Sequence, residues 1–489
     1  MQFLLLGSTL SVLLSLYAVC LQSSLVCHPL AFALLLGTLG LLLLVVCRFP
    51  ARSMLICLTV TYTLYVLGGF AVGASKPSFG FEPYRLTHME GVLIEDSLLT
   101  RSNKQVIRLT LQSAATQEGH TAEASGVVSA LLKTEELLVS GTAIEMDGRL
   151  SETGDLFLCT SFQVISLTSL GLKRRSSLSH LNMVLQKRIA DTSARSLAQM
   201  LLLGQSSEAS FILKDASLGA GCAHLLALSG MHLQLFLLLS SSFCSLLFGP
   251  YWGKRFGFLL PFAYVVLVGP KPSLVRALLM HLFSLFPVSQ ELRPVFSLLL
   301  AYAVQLWLFW YAVTSFAFLF SYAAITMLIL GRALPSFPLK TTALAILGTA
   351  PASMILTGSW NLAGLLFSYP AGLLIHLLML LSLFSLIIGG YPVILLTQCT
   401  AFLEDLLALA TDLPLVFSSQ AYLLYLLVLL TCIALIGYAG QALHKRRRYR
   451  NELDLCLRFT ERNHSPFGAG GSGDEQEVWT ELPDIPPSA

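Results

Sequence analysis

The stretch Gly219-Ala-Gly-Cys-Ala-His-Leu-Leu-Ala-Leu-Ser-Gly-Met-His232 runs directly into Leu233-Gln-Leu-Phe-Leu-Leu-Leu239. Two histidines, a serine and several glycines stand at the mouth of an apolar run that continues to Phe248. A run of this kind, roughly 20 residues long, is the length that crosses a bilayer core as a helix. A helix that only spans lipid has no use for the polar cluster at its entrance, because polar groups at membrane depth are costly and turn to the bundle interior.

Outward from this stretch the same material repeats. The 489 residues are 55% hydrophobic and 12% charged, against about 25% charged in an ordinary soluble domain. Apolar segments before the motif are Gln2–Cys20, Leu25–Cys47 and Met54–Val72. After it come His224–Phe248, Phe256–Val268, Leu274–Val288, Val295–Tyr311, Val313–Leu330, Thr341–Thr357, Asn361–Ile388 and Tyr422–Leu443. The fold class expected is a polytopic α-helical membrane protein of about 10–11 transmembrane segments, with a small all-β domain inserted. The first segment lacks a basic leader and is followed at once by further spans, so it reads as a retained helix. Ten cysteines include no CxxC pair, and most lie in or beside apolar spans, where they act as small hydrophobes.

The charged residues orient the chain. Arg48-Phe-Pro-Ala-Arg52 and His444-Lys-Arg-Arg-Arg-Tyr-Arg450 mark cytoplasmic sides. The segment between, residues 76–175, changes to period two. In Val106–Gln112, Ile107, Leu109 and Leu111 share a face, and Leu156–Ile165 is a second strand. Ser102–Lys104, Asp147-Gly148 and Gly154-Asp155 read as turns. About five short strands suit a small OB-like barrel, placed outside the membrane by the charge bias. The expected divisions are therefore 1–75, a three-helix membrane segment; 76–175, the barrel; 176–222, an amphipathic helix and connector; 223–443, the main membrane block; and 444–489, a basic and then disordered tail. An outside barrel and an inside tail require an odd number of crossings between them. Eight segments are counted, so one is re-entrant or one is missed, and Leu274–Val288, with Arg276 and His281, is the re-entrant candidate.

The residues able to carry chemistry are few. His224 and His232 are eight apart and share a helix face, with Ser229 and Gly230 between them. They either contact phosphate or bases in a polar constriction, or hydrogen-bond neighbouring helices and set packing; a zinc site with His281 is a third reading without a nearby carboxylate. Lys271 and Arg276 flank a proline-broken helix start. An arginine at mid-bilayer costs about 2.5–3.5 kcal/mol on insertion scales. A passing polyanion would offset that; the bland reading is that Lys271 snorkels and Arg276 bonds helix-end carbonyls. Trp307, Trp310, Tyr311 and Trp360 read mainly as interfacial anchors, and Asn361 as an amide bonding across helices. No GxxxxGK[ST] loop and no HxHxDH run is present, so neither a P-loop motor nor that type of nuclease is expected, and the chain reads as a non-enzyme without cofactor or metal. Acids outnumber bases in the barrel, whereas Lys254, Arg255, Lys271, Arg276, Arg293, Arg332 and Lys340 make the membrane block basic.

Ala223-His-Leu-Leu-Ala-Leu-Ser-Gly-Met-His232 resembles the HLLAISGLH core of the ComEC family of competence proteins. Met200-Leu-Leu-Leu-Gly204, Pro272–Met280, Ser315–Ala324 and Asn361–Pro370 resemble further segments of that family, in its order. Gln234 departs from it, standing where a small residue is common. Many members carry a C-terminal metallo-β-lactamase-like domain, and none is expected in this chain. The resemblance implies an inner-membrane channel passing single-stranded DNA into the cytoplasm during natural transformation. His224, Ser229, Gly230, His232, Lys271, Arg276 and Asn361 would line its path. It implies as partners single-stranded DNA, a cytoplasmic motor or single-strand-binding protein, an outer DNA receptor, a separate nuclease, membrane lipid and, as a candidate, a second copy of the chain. The alternatives are a transporter of another anionic solute and a membrane enzyme using His224, Ser229 and His232.

Overall fold

The computed structural model describes residues 51–454 except 119, 135, 152–155, 227–229, 335–338, 358, 414–415, 419–436, 438–439 and 441–446, together with 12, 13 and 16. The expected spans Gln2–Cys20 and Leu25–Cys47, most of Tyr422–Leu443, the Gly154-Asp155 turn and the tail beyond 454 therefore lie outside the described residues. Residues 440–489 form a second compact unit. Its described residues, 440 and 447–454, are helical, with Arg448 donating to Glu452 one turn on at 3.1 Å.

Helix α1 (Ala51–Ser75) leads into the β domain. Its main strands are β1 (Leu86–Leu93), β3 (Gln105–Thr116), β5 (Val127–Leu132), β6 (Thr142–Leu150) and β7 (Leu156–Leu167); the short β2 (Leu98–Leu99) and β4 (Thr121–Glu123) pair with β3. β1 bonds both β3 and β6, β6 bonds β7, β7 runs parallel to β5, and β5 bonds β3, so the five close into a ring. Alternation fills it: Ile107, Leu109, Met89, Ile144, Met146 and Phe157 are buried in one cluster. Ser102–Lys104 does turn the chain, with Asn103 at φ +54. Asp147-Gly148 does not. It lies within β6 at a break in register with β7, which marks a bulge rather than a strand end.

Helix α2 (Ser169–Arg188) starts seven residues before the expected amphipathic segment and stops before α3 (Thr192–Ala198). A π turn over Gln199–Leu203 follows, closed by Gly204 in the left-handed region at φ +65. Leu178, Leu185 and Ile189 are buried in the helical core with Leu197 and Leu403, so this apolar side packs on protein. Next come α4 (Glu208–Gly219), α5 (Ala223–Leu226), α6 (Gly230–Phe256, kinked at Gly249-Pro250), α7 (Leu259–Val268), α8 (Pro272–Ser284), α9 (Arg293–Leu308) and α10 (Phe316–Leu330). The chain continues through α11 (Lys340–Thr357), β8 (Ser359–Asn361), α12 (Ala363–Ile387), α13 (Tyr391–Thr411) and β9 (Val416–Ser418). β8 and β9 pair, so Trp360 and Asn361 belong to a short ladder, and the helix expected from Asn361 begins at Ala363.

Among the described residues, three helices are long and apolar enough to cross a membrane: Gly230–Gly253, Ala363–Ile387 and Tyr391–Thr411. The third was not among the expected spans. Glu404-Asp405 interrupts its hydropathy, yet it folds as one helix with Leu396, Leu403 and Leu407 buried. Helix α12 shows what its surroundings are. Gly364, Ser368, Ala371, Gly372, Ser382 and Ser385 face inward, while Leu366, Leu373, Leu377, Phe384 and Ile387 are exposed. Small and weakly polar residues share the buried face with Ile375, Leu378, Met379 and Leu381, and large apolar residues cover the outside, the arrangement lipid favours.

Candidate functional site

The histidine–glycine motif spans the end of α4, helix α5 and the start of α6. Ser229 and the side chain of His224 lie outside the described residues. At the first end the backbone turns sharply, with Gly221 at φ +72. A Cβ there would stand 2.6 Å from the Asn361 carbonyl oxygen and 3.4 Å from Gly364 Cα, and a Cβ on Gly364 would stand 2.7 Å from the Gly221 carbonyl oxygen. Two glycines thus let α12 touch the motif backbone. Asn361, 5% exposed, holds the contact: its Nδ2 donates to the Gly219 carbonyl at 2.7 Å, and its Oδ1 accepts from the Ala363 amide at 2.9 Å. The amide expected to bond across helices does so, and its partner is the motif itself.

At the second end Gly230 opens α6. A Cβ there would lie 2.7 Å from Arg276 Nη2 and 3.2 Å from Ala277 Cβ, so the missing side chain is the space the guanidinium uses. Arg276 is 8% exposed. Its Nε donates to Ser321 Oγ of α10 at 2.7 Å, Nη1 points at Met280 Sδ at 3.7 Å, and its Cζ lies 5.9 Å from the centroid of the Tyr322 ring. Among the described residues none of the ion pairs includes it. The expectation that Arg276 bonds helix-end carbonyls is replaced by a hydroxyl and a thioether on helices α10 and α8. His232 follows Gly230 by two residues and is 1% exposed.

Lys271 does something else. Its Nζ donates to the Gly204 carbonyl at 2.6 Å, and the Tyr264 hydroxyl donates to the Leu202 carbonyl at 3.0 Å. A π turn leaves carbonyls poorly paired, and these two side chains take them up. Lys271 is thus a clamp on the 199–204 turn; the carbonyl-bonding role expected of Arg276 falls to it, in place of snorkelling. His281 sits near the other end of α8, stacked on Phe258 with centroids 6.0 Å apart. Among the described residues, the group of three metal-ligating side chains within reach lies in the β domain and contains neither His232 nor His281.

Arg174, in α2, fastens the β domain to this core, and sequence reasoning passed it over. Its Nη2 pairs with Asp96, Nη1 donates to Ser140 Oγ at 3.0 Å, and Nε donates to the Leu267 carbonyl of α7 at 2.7 Å. Arg108 of β3 adds a second tie, donating to Glu95 at 3.2 Å and to the Tyr311 carbonyl at 3.3 Å. Nothing in the local pattern around Arg174 marks it, because its partners lie 34 to 93 residues away.

The elements that carry the site coincide with a known family. The Competence family, described as competence protein, matches residues 201–446, just over half of the chain. The chain belongs to the Competence family. That membership carries a membrane location and a role in DNA uptake in competence, in keeping with the three long apolar helices. No curated protein and no solved structure matches the chain. The matched region takes in the motif, Lys271, Arg276 and Asn361 and leaves out the β domain.

Proposed function

We propose that this protein conducts single-stranded DNA through the cytoplasmic membrane, and that Arg276 is a station for its phosphates. One observation carries this reading. A guanidinium 8% exposed, with no carboxylate partner among the described residues, is held by a neutral hydroxyl and a thioether beside a glycine whose missing side chain makes room for it. Arginine presents its donors in a planar fork matched to phosphate oxygens. A buried charge is costly until it is paired, and a passing phosphate would supply the pair. His232, Gly230 and the motif turn held by Asn361 would border the same passage.

The polytopic reading fits this proposal. Tyr391–Thr411 adds a crossing to those expected, while Pro272–Ser284, the re-entrant candidate, is too short at 13 residues to be one. The closed five-strand ring with one parallel pairing supports an OB-like barrel, which the charge bias of the flanking segments would put on the outer side. Moving each phosphate into a negative-inside cell costs about 2.3 kcal/mol per 100 mV. A cytoplasmic motor or single-strand-binding protein would therefore pull the strand, an outer receptor would deliver it, and a separate nuclease would remove its complement.

The test is uptake of labelled DNA in a deletion strain carrying Arg276→Ala, Arg276→Lys or the wild-type gene at matched protein levels. Arg276→Ala should lower uptake at least tenfold, with partial recovery in Arg276→Lys. Wild-type uptake by Arg276→Ala at wild-type abundance would remove the arginine from the path.

A further inference from the structure

A second polar cluster lies on the β domain, away from Arg276 and independent of the DNA reading. His88 and Glu90 alternate on β1, Glu145 and Asp147 on β6, and in register His88 faces Asp147 while Glu90 faces Glu145. Their neighbours Met89, Ile144 and Met146 fill the barrel, so these four side chains stand on its outer face. His88, Glu90 and Glu145 are each half-buried, and one ligand atom from each lies within 4.8 Å of the others.

Two features distinguish this set from an ordinary acidic face. Glu90 and Glu145 are directly opposed across the strand pair, an arrangement that destabilises a sheet unless a cation lies between them. The histidine is also oriented. Its Nδ1 is 2.8 Å from Asp147 Oδ1, and its Nε2 is 3.4 Å from Glu145 Oε1. Ionised Asp147 only accepts, so Nδ1 carries the proton, and Nε2 then faces a carboxylate with either a second proton or a lone pair. A lone pair aimed at two carboxylates is a metal-binding geometry. A histidine whose far nitrogen donates to a carboxylate is the usual support of a ligating imidazole. The outer contacts are in place as well: Ser161 Oγ donates to Asp147 Oδ2 at 2.8 Å, and Ser113 Oγ donates to Glu90 Oε2 at 3.0 Å.

We propose that His88, Glu90 and Glu145 bind a divalent transition-metal ion of the Zn²⁺ or Mn²⁺ class, with Asp147 as the positioning residue for His88. One imidazole and two carboxylates match the borderline hardness of these ions, and no thiolate in the set favours a softer one. The two carboxylates balance the ion's charge. Three protein ligands leave at least one coordination position for water or an anionic oxygen.

The experiment uses the full chain in detergent, stripped with chelator and titrated with Zn²⁺ and, separately, Mn²⁺ by calorimetry and metal analysis. Wild type should take up an equivalent that His88→Ala and Glu145→Gln each lose. Asp147→Asn should retain it with affinity lowered about 10–100-fold. A site-specific readout needs no variant: Zn²⁺ should protect His88 from diethyl pyrocarbonate, measured by peptide mass spectrometry. Equal uptake by wild type and the double variant His88→Ala/Glu145→Gln, or modification of His88 at one rate with and without metal, would show a protonated histidine among carboxylates and overturn the proposal.

Discussion

At the residue scale the glycines divide by what surrounds them. Gly221 combines φ +72 with a backbone oxygen 2.6 Å from where a Cβ would lie. Gly221→Ala should therefore lose about 1–3 kcal/mol to backbone strain alone, read as a lower thermal midpoint in detergent and lower abundance in cells. Gly230→Ala meets only the end of a flexible arginine and Ala277, so the fold should survive while Arg276 is displaced and DNA uptake falls. Gly372 has its nearest neighbour at 3.9 Å. Gly372→Ala should leave the midpoint unchanged or raised, since alanine is the better helix former by roughly 1 kcal/mol. A midpoint ordering other than Gly372→Ala above Gly221→Ala would contradict the packing described. On the β domain, burial with the Asp147 carboxylate nearby pushes the Cys159 thiol up to about 11. The protonated form therefore prevails at neutral pH. Alkylation of Cys159 by iodoacetamide should be slow at pH 7.5 and rise about tenfold per pH unit towards that value; a rate already flat above pH 8.5 would refute the shift.

At the scale of elements, the joint between the β domain and the helices rests on a buried ion pair whose side chains are 6% and 13% exposed. Removing one partner strands the other, at a cost of about 3–5 kcal/mol. Arg174→Ala should expose the linker around α2 to limited proteolysis, with the barrel's core strands still protected in hydrogen exchange. A cleavage pattern equal to wild type would show that the pair does not hold the joint. Element boundaries also show where hydropathy misleads. Tyr391–Thr411 is a single helix despite two adjacent acids, since a 21-residue helix carries them on one side while Leu396, Leu403 and Leu407 pack on the other. Pro272–Ser284 is apolar enough to suggest a span, yet its 13 residues reach only about 20 Å at 1.5 Å per residue. That is short of the roughly 30 Å hydrocarbon core, and it leaves Arg276 among protein neighbours.

For the whole molecule, the proposal makes charge the recognised property of the strand. A methylphosphonate oligonucleotide keeps the bases and removes the backbone charge. It should fail to compete with labelled single-stranded DNA for uptake, whereas a phosphodiester strand of equal length competes fully. Equal competition would mean that the bases are read instead.

Composition and the lengths of the apolar runs were enough to establish the membrane class, because transfer into lipid sums over local residues and needs no knowledge of their partners. The β alternation around Ile107, Leu109 and Leu111, and the weight placed on the Gly219–His232 motif, were legible for the same reason: period and unusual local chemistry belong to the chain itself. Tertiary structure alone decided that Lys271 clamps a π turn, that Asn361 grips the motif, that Gly230 gives Arg276 its space, and that His88 meets Glu145 across β1 and β6. Each of these is a contact of a few ångströms between residues 46 to 142 positions apart, with the wide gaps of the membrane block crossed by helices of ordinary sequence. Side-chain reach is set by how those helices and strands pack, and no local pattern records it.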